Sequence, residues 1–246
     1  MASDRDLEVV VVTGSSSGIG RAVAERFARE GARVVVNSSR STAEGEALTA
    51  SLPDAVYVQG DVSREEDAQR LVATAVDRFG RLDVVVNNAG TTRRVPFADL
   101  DAADDELWQR ILGVNLMGPW YVSRAAVPAL RESKGAIVNV GSVSGIIAAG
   151  SSLPYAVSKA ALHHLTRTLA QALAPDVRVN AVAPSLAVHE HLAKVMPQET
   201  IDDLVTREAF ARSAEPWEVA NVIVFLASDY SGYMTGEVVS VSSQHP

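Results

Sequence analysis

Leu7-Glu-Val-Val-Val-Val-Thr-Gly-Ser-Ser-Ser-Gly-Ile-Gly20 is the stretch on which the fold turns. Leu7 to Val12 is short, apolar and β-branched, so it reads as a buried strand; Ile19, Val23 and Phe27 then recur at four-residue spacing, as on one helix face. Between them stand Gly14, Gly18 and Gly20. In a strand-turn-helix unit these glycines permit a tight turn, close approach of backbone to a pyrophosphate and close packing of helix on strand. The helix N-terminus adds free amides and the positive end of a dipole. A loop that merely needs glycines is the competing interpretation, and the flanking pattern favours the anion site. Gly14, Ser16, Ser17, Gly18, Ile19 and Gly20 are therefore the candidate phosphate contacts of a nucleotide.

Outward from this unit, strand-like and helix-like segments alternate almost to the last residue. Arg33–Val36, Ala55–Gln59, Leu82–Val86, Ala136–Val140, Val177–Val182 and Val238–Val241 read as further strands. Ser63-Arg-Glu-Glu66 has the form of a capping box opening a helix that ends at Gly80. One long helical region is expected through Trp108 to Leu130, another runs from Tyr155 to about Ala174, and Glu215–Ala227 reads as the last. Valine-rich strands buried on both faces belong to a parallel sheet. The economical topology is a Rossmann-type doubly wound α/β sheet of about seven parallel strands, helices on both faces, in one domain over 1–246.

Composition narrows the function. With 30 acidic against 22 basic residues the net charge is −8, which argues against a nucleic-acid backbone as main partner. There is no cysteine, so disulfides and thiolate metal sites are excluded. The polar N-terminal stretch resembles no signal or transit peptide, and no apolar run approaches the ~20 residues that span a bilayer. A cytoplasmic protein with a small-molecule partner is the expectation.

At the end of the second strand an acidic side chain would bond a ribose 2′-hydroxyl. Here the run is Asn37-Ser38-Ser39-Arg40, better suited to a 2′-phosphate, so NADP(H) is expected in preference to NAD(H). Tyr155 and Lys159, four apart, share a helix face. An ammonium beside a phenol stabilises the phenolate and draws its pKa down from about 10 toward the working range. The hydroxyl of Ser142, thirteen residues ahead, can hold a substrate oxygen, with Ser144 competing for the role.

Thr13-Gly14-x-x-x-Gly18-Ile19-Gly20, Asn87-Asn88-Ala89-Gly90, Asn115, Ser142 and Tyr155-x-x-x-Lys159 fall in the order and spacing of the short-chain dehydrogenase/reductase family, which the chain resembles over nearly its whole length. The resemblance implies interconversion of ketones and secondary alcohols with a nicotinamide cofactor, an activity like that of 3-oxoacyl-thioester reductases being among those it admits. It also implies assembly as a homotetramer or homodimer. Tyr155 would be the general acid/base, and Lys159 would tune it and bind the cofactor ribose. Ser142 would bond the substrate oxygen, and Asn115 would hold a water that resupplies the proton. Asp61 and Val62 would flank the adenine, while Asn88, Ala89, Gly90 and Pro184 would line the rest of the cofactor.

Two places depart from the family. After Pro184 the chain reads Ser-Leu-Ala-Val-His189 where the family has Pro-Gly and then a threonine, so His189 is the candidate contact to nicotinamide amide or substrate. The C-terminus reads Val241-Ser-Ser-Gln-His-Pro246 instead of Val-Asp-Gly-Gly. Residues 186–212 are the expected substrate lid, with Thr91–Phe97 and the Ile/Ala-rich 141–152 as walls; Arg93 and Arg94 suit an acidic or phosphopantetheine-bearing substrate, or simply solvent. His163-His164 is expected on the helix surface or at a subunit interface. A nucleotide-sugar epimerase would need a larger C-terminal domain. A nucleotide-sensing or scaffolding protein without turnover would be favoured by loss of Ser142, Tyr155 or Lys159, and all three are present.

Overall fold

The computed structural model describes residues 8–188 and 197–243. β1 (Val9–Val12) lies within a seven-stranded parallel sheet, flanked by β2 (Arg33–Ser38) and β4 (Val84–Asn87). β3 (Ala55–Gln59) lies outside β2; β5 (Ala136–Val140), β6 (Arg178–Pro184) and β7 (Val238–Val241) continue beyond β4, giving the order β3-β2-β1-β4-β5-β6-β7. Val10 pairs with Val34 on one side and Val84 on the other.

The valine run has a packing reason. All four side chains of β1 are fully buried, Val9 and Val11 in one core and Val10 and Val12 in the other. Leu71 and Phe79 of α3 (Glu65–Phe79), Val122 of α5 (Gly118–Ser133) and Leu169 of α6 (Leu153–Leu173) fill the first core. Phe27 of α1 (Gly18–Arg29), Leu48 of α2 (Thr42–Ser51) and Ile223 of α8 (Pro216–Ala227) fill the second. A strand wetted on neither face has no reason to alternate. Strand order reverses between β1 and β4, so the crevice at the carboxyl ends of these strands is where such a sheet takes its ligand.

Three local expectations need correction. Ser63 caps nothing: its hydroxyl and amide both donate to Asp61 Oδ1 (2.7 and 3.0 Å), and α3 opens after Arg64 without a side-chain cap. An Asx turn closer in sequence has outcompeted the capping box. The helix expected through Trp108–Leu130 is α4 (Asp105–Leu112), a π turn (Gly113–Met117) and then α5. The fourth strand starts later than Leu82, because Asp83 uses its carboxylate to accept the Val9 amide (2.8 Å) and the Arg81 guanidinium (2.7 Å). Among the described residues no helix is long and apolar enough to cross a membrane.

Candidate active site

The glycine turn is built against the turn that follows β4. Gly14 and Gly18 have φ of +60° and +56°, the left-handed region that glycine enters freely. A Cβ on Gly14 would meet Ala89 Cα at 2.9 Å, and one on Gly20 would meet Asn88 Nδ2 at 2.3 Å. Asn88 Nδ2 donates to the carbonyls of Thr13 (2.9 Å) and Gly14 (3.0 Å), while Thr13 Oγ1 accepts from the amides of Asn88 and Ala89. Asn37 locks the other side, accepting the Gly14 amide and donating to the carbonyls of Val58 and Gly60. Ser17, at the start of α1, makes no side-chain cap, so the first-turn amides that a helix cannot satisfy internally are left to a ligand. A backbone approach open only to glycine, beside an uncapped helix start, fits the pyrophosphate of a dinucleotide.

At the end of β2 the structure divides the three expected contacts. Ser38 is buried, with its hydroxyl donating to Ser41 O (3.0 Å) and paired with Tyr57 Oη (2.8 Å). Ser39 and Arg40 are exposed. Asp61 is engaged with Ser63, and its amide donates to Asp67 Oδ2 (2.8 Å). Val62 packs so closely on Gly118 that a Cβ there would lie 2.8 Å from its Cγ2.

α6 brings the chemistry together. Ser152 caps it, its hydroxyl accepting the Tyr155 amide, and Tyr155, Lys159 and His163 follow at four-residue spacing on the face toward the end of β5. Ser142, on the turn leaving β5, faces the Tyr155 phenol, and its Oγ accepts the Ser144 amide (3.2 Å). Lys159 is buried, donates to Val140 O at 2.7 Å and lies 5.8 Å from the Tyr155 ring centre. Burial lowers the Lys159 ammonium to about 8, so it remains largely charged near neutrality. The phenol moves opposite to expectation: burial pushes it above 10, with the Ser142 hydroxyl opposing. The Lys159 ammonium is turned to the Val140 carbonyl, and desolvation is the larger influence on the phenol.

Asn115 is fully buried within the π turn. Its Oδ1 accepts the Thr91 amide (2.8 Å), and its Nδ2 donates to Thr91 O and Ser158 Oγ (both 3.0 Å); Ser158 in turn donates to Tyr155 O. Asn115 thereby ties the Asn87–Thr91 turn to α6. Gly90 sits where a Cβ would be 3.6 Å from Asn115 Oδ1 and 3.8 Å from Lys159 Nζ.

Pro184 ends β6, paired with Val241 of β7. The two departures from the family meet just beyond it: Ser185 Oγ (3.2 Å) and Ser243 Oγ (2.7 Å) both donate to Glu208 Oε2, whose residue is 4% exposed. Nothing in the sequence linked three residues so far apart. His189 lies outside the described residues. Of the expected lid, α7 (Gln198–Thr206) is joined to the Thr91–Phe97 wall by Arg94 Nη1 donating to Thr200 Oγ1 (2.9 Å). Arg93 is occupied by Ala102 O and Asp104. Ile146 and Ile147 are exposed on the opposite wall.

Sequence reasoning also missed a buried relay of polar side chains under the site. Asn87 Nδ2 donates to Asn139 Oδ1 (2.9 Å) and Ser123 Oγ (3.1 Å), and Asn139 Nδ2 donates to Thr166 Oγ1 (2.9 Å). It misplaced His163 as well, which is 2% exposed and packs inward against Gly141 and Gly145. The signal was available, since position 163 continues the stripe of Tyr155 and Lys159.

Comparison with known proteins accords with this geometry. A family profile described as enoyl-(acyl carrier protein) reductase matches residues 14–243. The chain is 47% identical to the ketoacyl reductase 2 assigned to the granaticin polyketide synthase of Streptomyces violaceoruber, covering 98% of this chain and 97% of that one. It is 46% identical to the (5R,7aS)-5-hydroxy-7a-methyl-1-oxo-2,3,5,6,7,7a-hexahydro-1H-indene-carboxyl-CoA reductase of Mycobacterium tuberculosis, over 98% and 94% of the two chains. A short-chain dehydrogenase/reductase (glucose/ribitol dehydrogenase) of Brucella melitensis superposes with a TM-score of 0.88 at 34% identity, over 96% of both chains.

Proposed function

The chain belongs to the short-chain dehydrogenase/reductase family of oxidoreductases, and on that premise we propose that it interconverts a ketone and a secondary alcohol with a nicotinamide cofactor, NADP(H) in preference to NAD(H). The observation that carries this is the convergence of the Ser142 hydroxyl and the Tyr155 phenol at the carboxyl end of β5, one helical turn from the buried Lys159. Two hydroxyls converging on one point suit a carbonyl oxygen, which gains negative charge as the ketone is reduced. Tyr155, kept protonated by burial, donates to that oxygen; Ser142 orients it and shares the developing charge. The Lys159 charge stabilises the phenolate left behind, and its remaining N–H donors hold the ribose hydroxyls of the cofactor. Asn115 keeps the Asn87–Thr91 turn in register with α6 and holds the water that resupplies the proton. When bound, the nicotinamide supplies or accepts the hydride.

Gly14, Ser16, Ser17, Gly18, Ile19 and Gly20 would hold the pyrophosphate, with Asn88, Ala89 and Gly90 beside it and Asp61 and Val62 at the adenine. Ser39 and Arg40 would take a 2′-phosphate. A 3-oxoacyl thioester is the substrate class supported by the name of the granaticin relative, a ketoacyl reductase, and by the exposed Ile146 and Ile147 on one wall. Assembly as a homotetramer or homodimer belongs to the same proposal and is read from light-scattering mass. The decisive assay follows NADPH oxidation against acyl-thioester, steroid, sugar and simple ketones. Turnover is expected with a 3-oxoacyl thioester, and Tyr155→Phe should lower kcat at least about a hundredfold while NADPH still binds. Absence of turnover on every ketone, or an active phenylalanine variant, would overturn the proposal.

A further inference from the structure

The face of α6 that carries Tyr155 and Lys159 has a third member. Tyr155 meets Ser142, Lys159 Nζ meets Val140 O, and His163 meets Gly141 and Gly145, so side chains at i, i+4 and i+8 grip one short run of backbone. The fit is close: a Cβ on Gly141 would lie 2.2 Å from His163 Nε2, and one on Gly145 would lie 2.7 Å from Cε1. The imidazole packs against the Gly145 backbone, and Nε2 has no partner, which leaves Nδ1 as the nitrogen free to donate there. A buried lone pair without a donor is a cost that an apolar side chain of similar size avoids.

Resting on the functional reading above, we infer that His163 is a positioning residue of the catalytic site: its Nδ1–H, bonded to Gly145 O, ties the turn bearing Ser142 to the helix bearing Tyr155 and Lys159. The two glycines give the flat ring its slot, and the orphaned Nε2 accompanies the bond made at the other nitrogen. Burial, with Lys159 and Arg167 nearby, lowers the imidazole to about 4, so at neutral pH only one nitrogen carries a proton. That proton is the one Gly145 O accepts.

The two nitrogens can be separated by substitution, because an asparagine amide reproduces the Nδ1 donor and a glutamine amide reaches toward Nε2. His163→Leu and His163→Gln should lower kcat for carbonyl reduction at least tenfold, with substrate KM and NADPH Kd changed less than threefold. His163→Asn should return kcat to within threefold of the parent. Amide exchange over Gly145–Ile147 should quicken in the leucine and glutamine variants and not in the asparagine one. An asparagine variant as slow as the glutamine one, or parental kcat in both, would overturn the inference, and this pair decides it even if the leucine variant does not fold. If the parent protein itself turns over no ketone, the functional reading fails, and the exchange pattern alone then decides whether His163 holds the turn.

Discussion

Tyr155 and Lys159 owe their properties to burial more than to each other. Desolvation raises a phenol and lowers an ammonium, so the acid stays protonated and the cation stays near the edge of titration. Their identities were legible in the sequence from spacing, and so was Ser142. Their pKa directions were not, because these depend on where Lys159 Nζ points. The same limit applies at Asn37 and Ser38, whose polar groups looked available to a ribose and are spent on Gly14, Val58, Gly60, Ser41 and Tyr57. Arg40 is exposed, and on the proposed reading it is the charged group that would meet a 2′-phosphate. Arg40→Ala should weaken NADPH roughly tenfold or more, the scale of one charge-assisted contact, and leave NADH nearly unchanged, as read by fluorescence titration with both cofactors. Equal losses for the two would remove Arg40 from the site.

α6 is the element on which the site is measured out. Its cap, Ser152, is fully buried, and its hydroxyl accepts the Tyr155 amide, so the start of the helix and the position of the phenol are set together. Ser152→Ala should cost about 1 kcal/mol, a fall in Tm of about 2–4 °C for a chain of this size, checked by calorimetry. No change in Tm would mean the cap is idle. Helices with one apolar face were readable as helices. The π turn at Gly113–Met117 was not, since its extra residue changes no composition and only rotates Asn115 inward to Thr91 and Ser158. The Ser63 capping box failed for a related reason: Asp61 two residues away offered the nearer acceptor.

For the molecule as a whole, the buried His163 links stability to pH. Between about 6.5 and about 4 the unfolded chain's histidine takes up a proton that the folded one refuses, so stability from this group is present above 6.5 and lost as pH falls through that window. His163→Leu removes the linkage. The Tm of the parent should therefore fall more steeply between pH 6.5 and 4 than that of the leucine variant, carboxylates being common to both; parallel curves would show that His163 titrates normally. At this scale the sequence by itself determined the architecture. Runs such as Val9–Val12, followed by a glycine turn and a helix pattern and repeated along the chain, suit strands covered on both faces of a parallel sheet, and the glycines after the first strand mark the switch point, because periodicity and turn chemistry act over a few neighbouring residues. Only the tertiary structure decided that His163 faces Gly141, that Ser185 and Ser243 share Glu208, and that Asn88 braces the glycine turn. Those contacts join residues tens of positions apart, and a hydrogen bond or a packed ring depends on direction and distance that exist only once the sheet has brought its strand ends together.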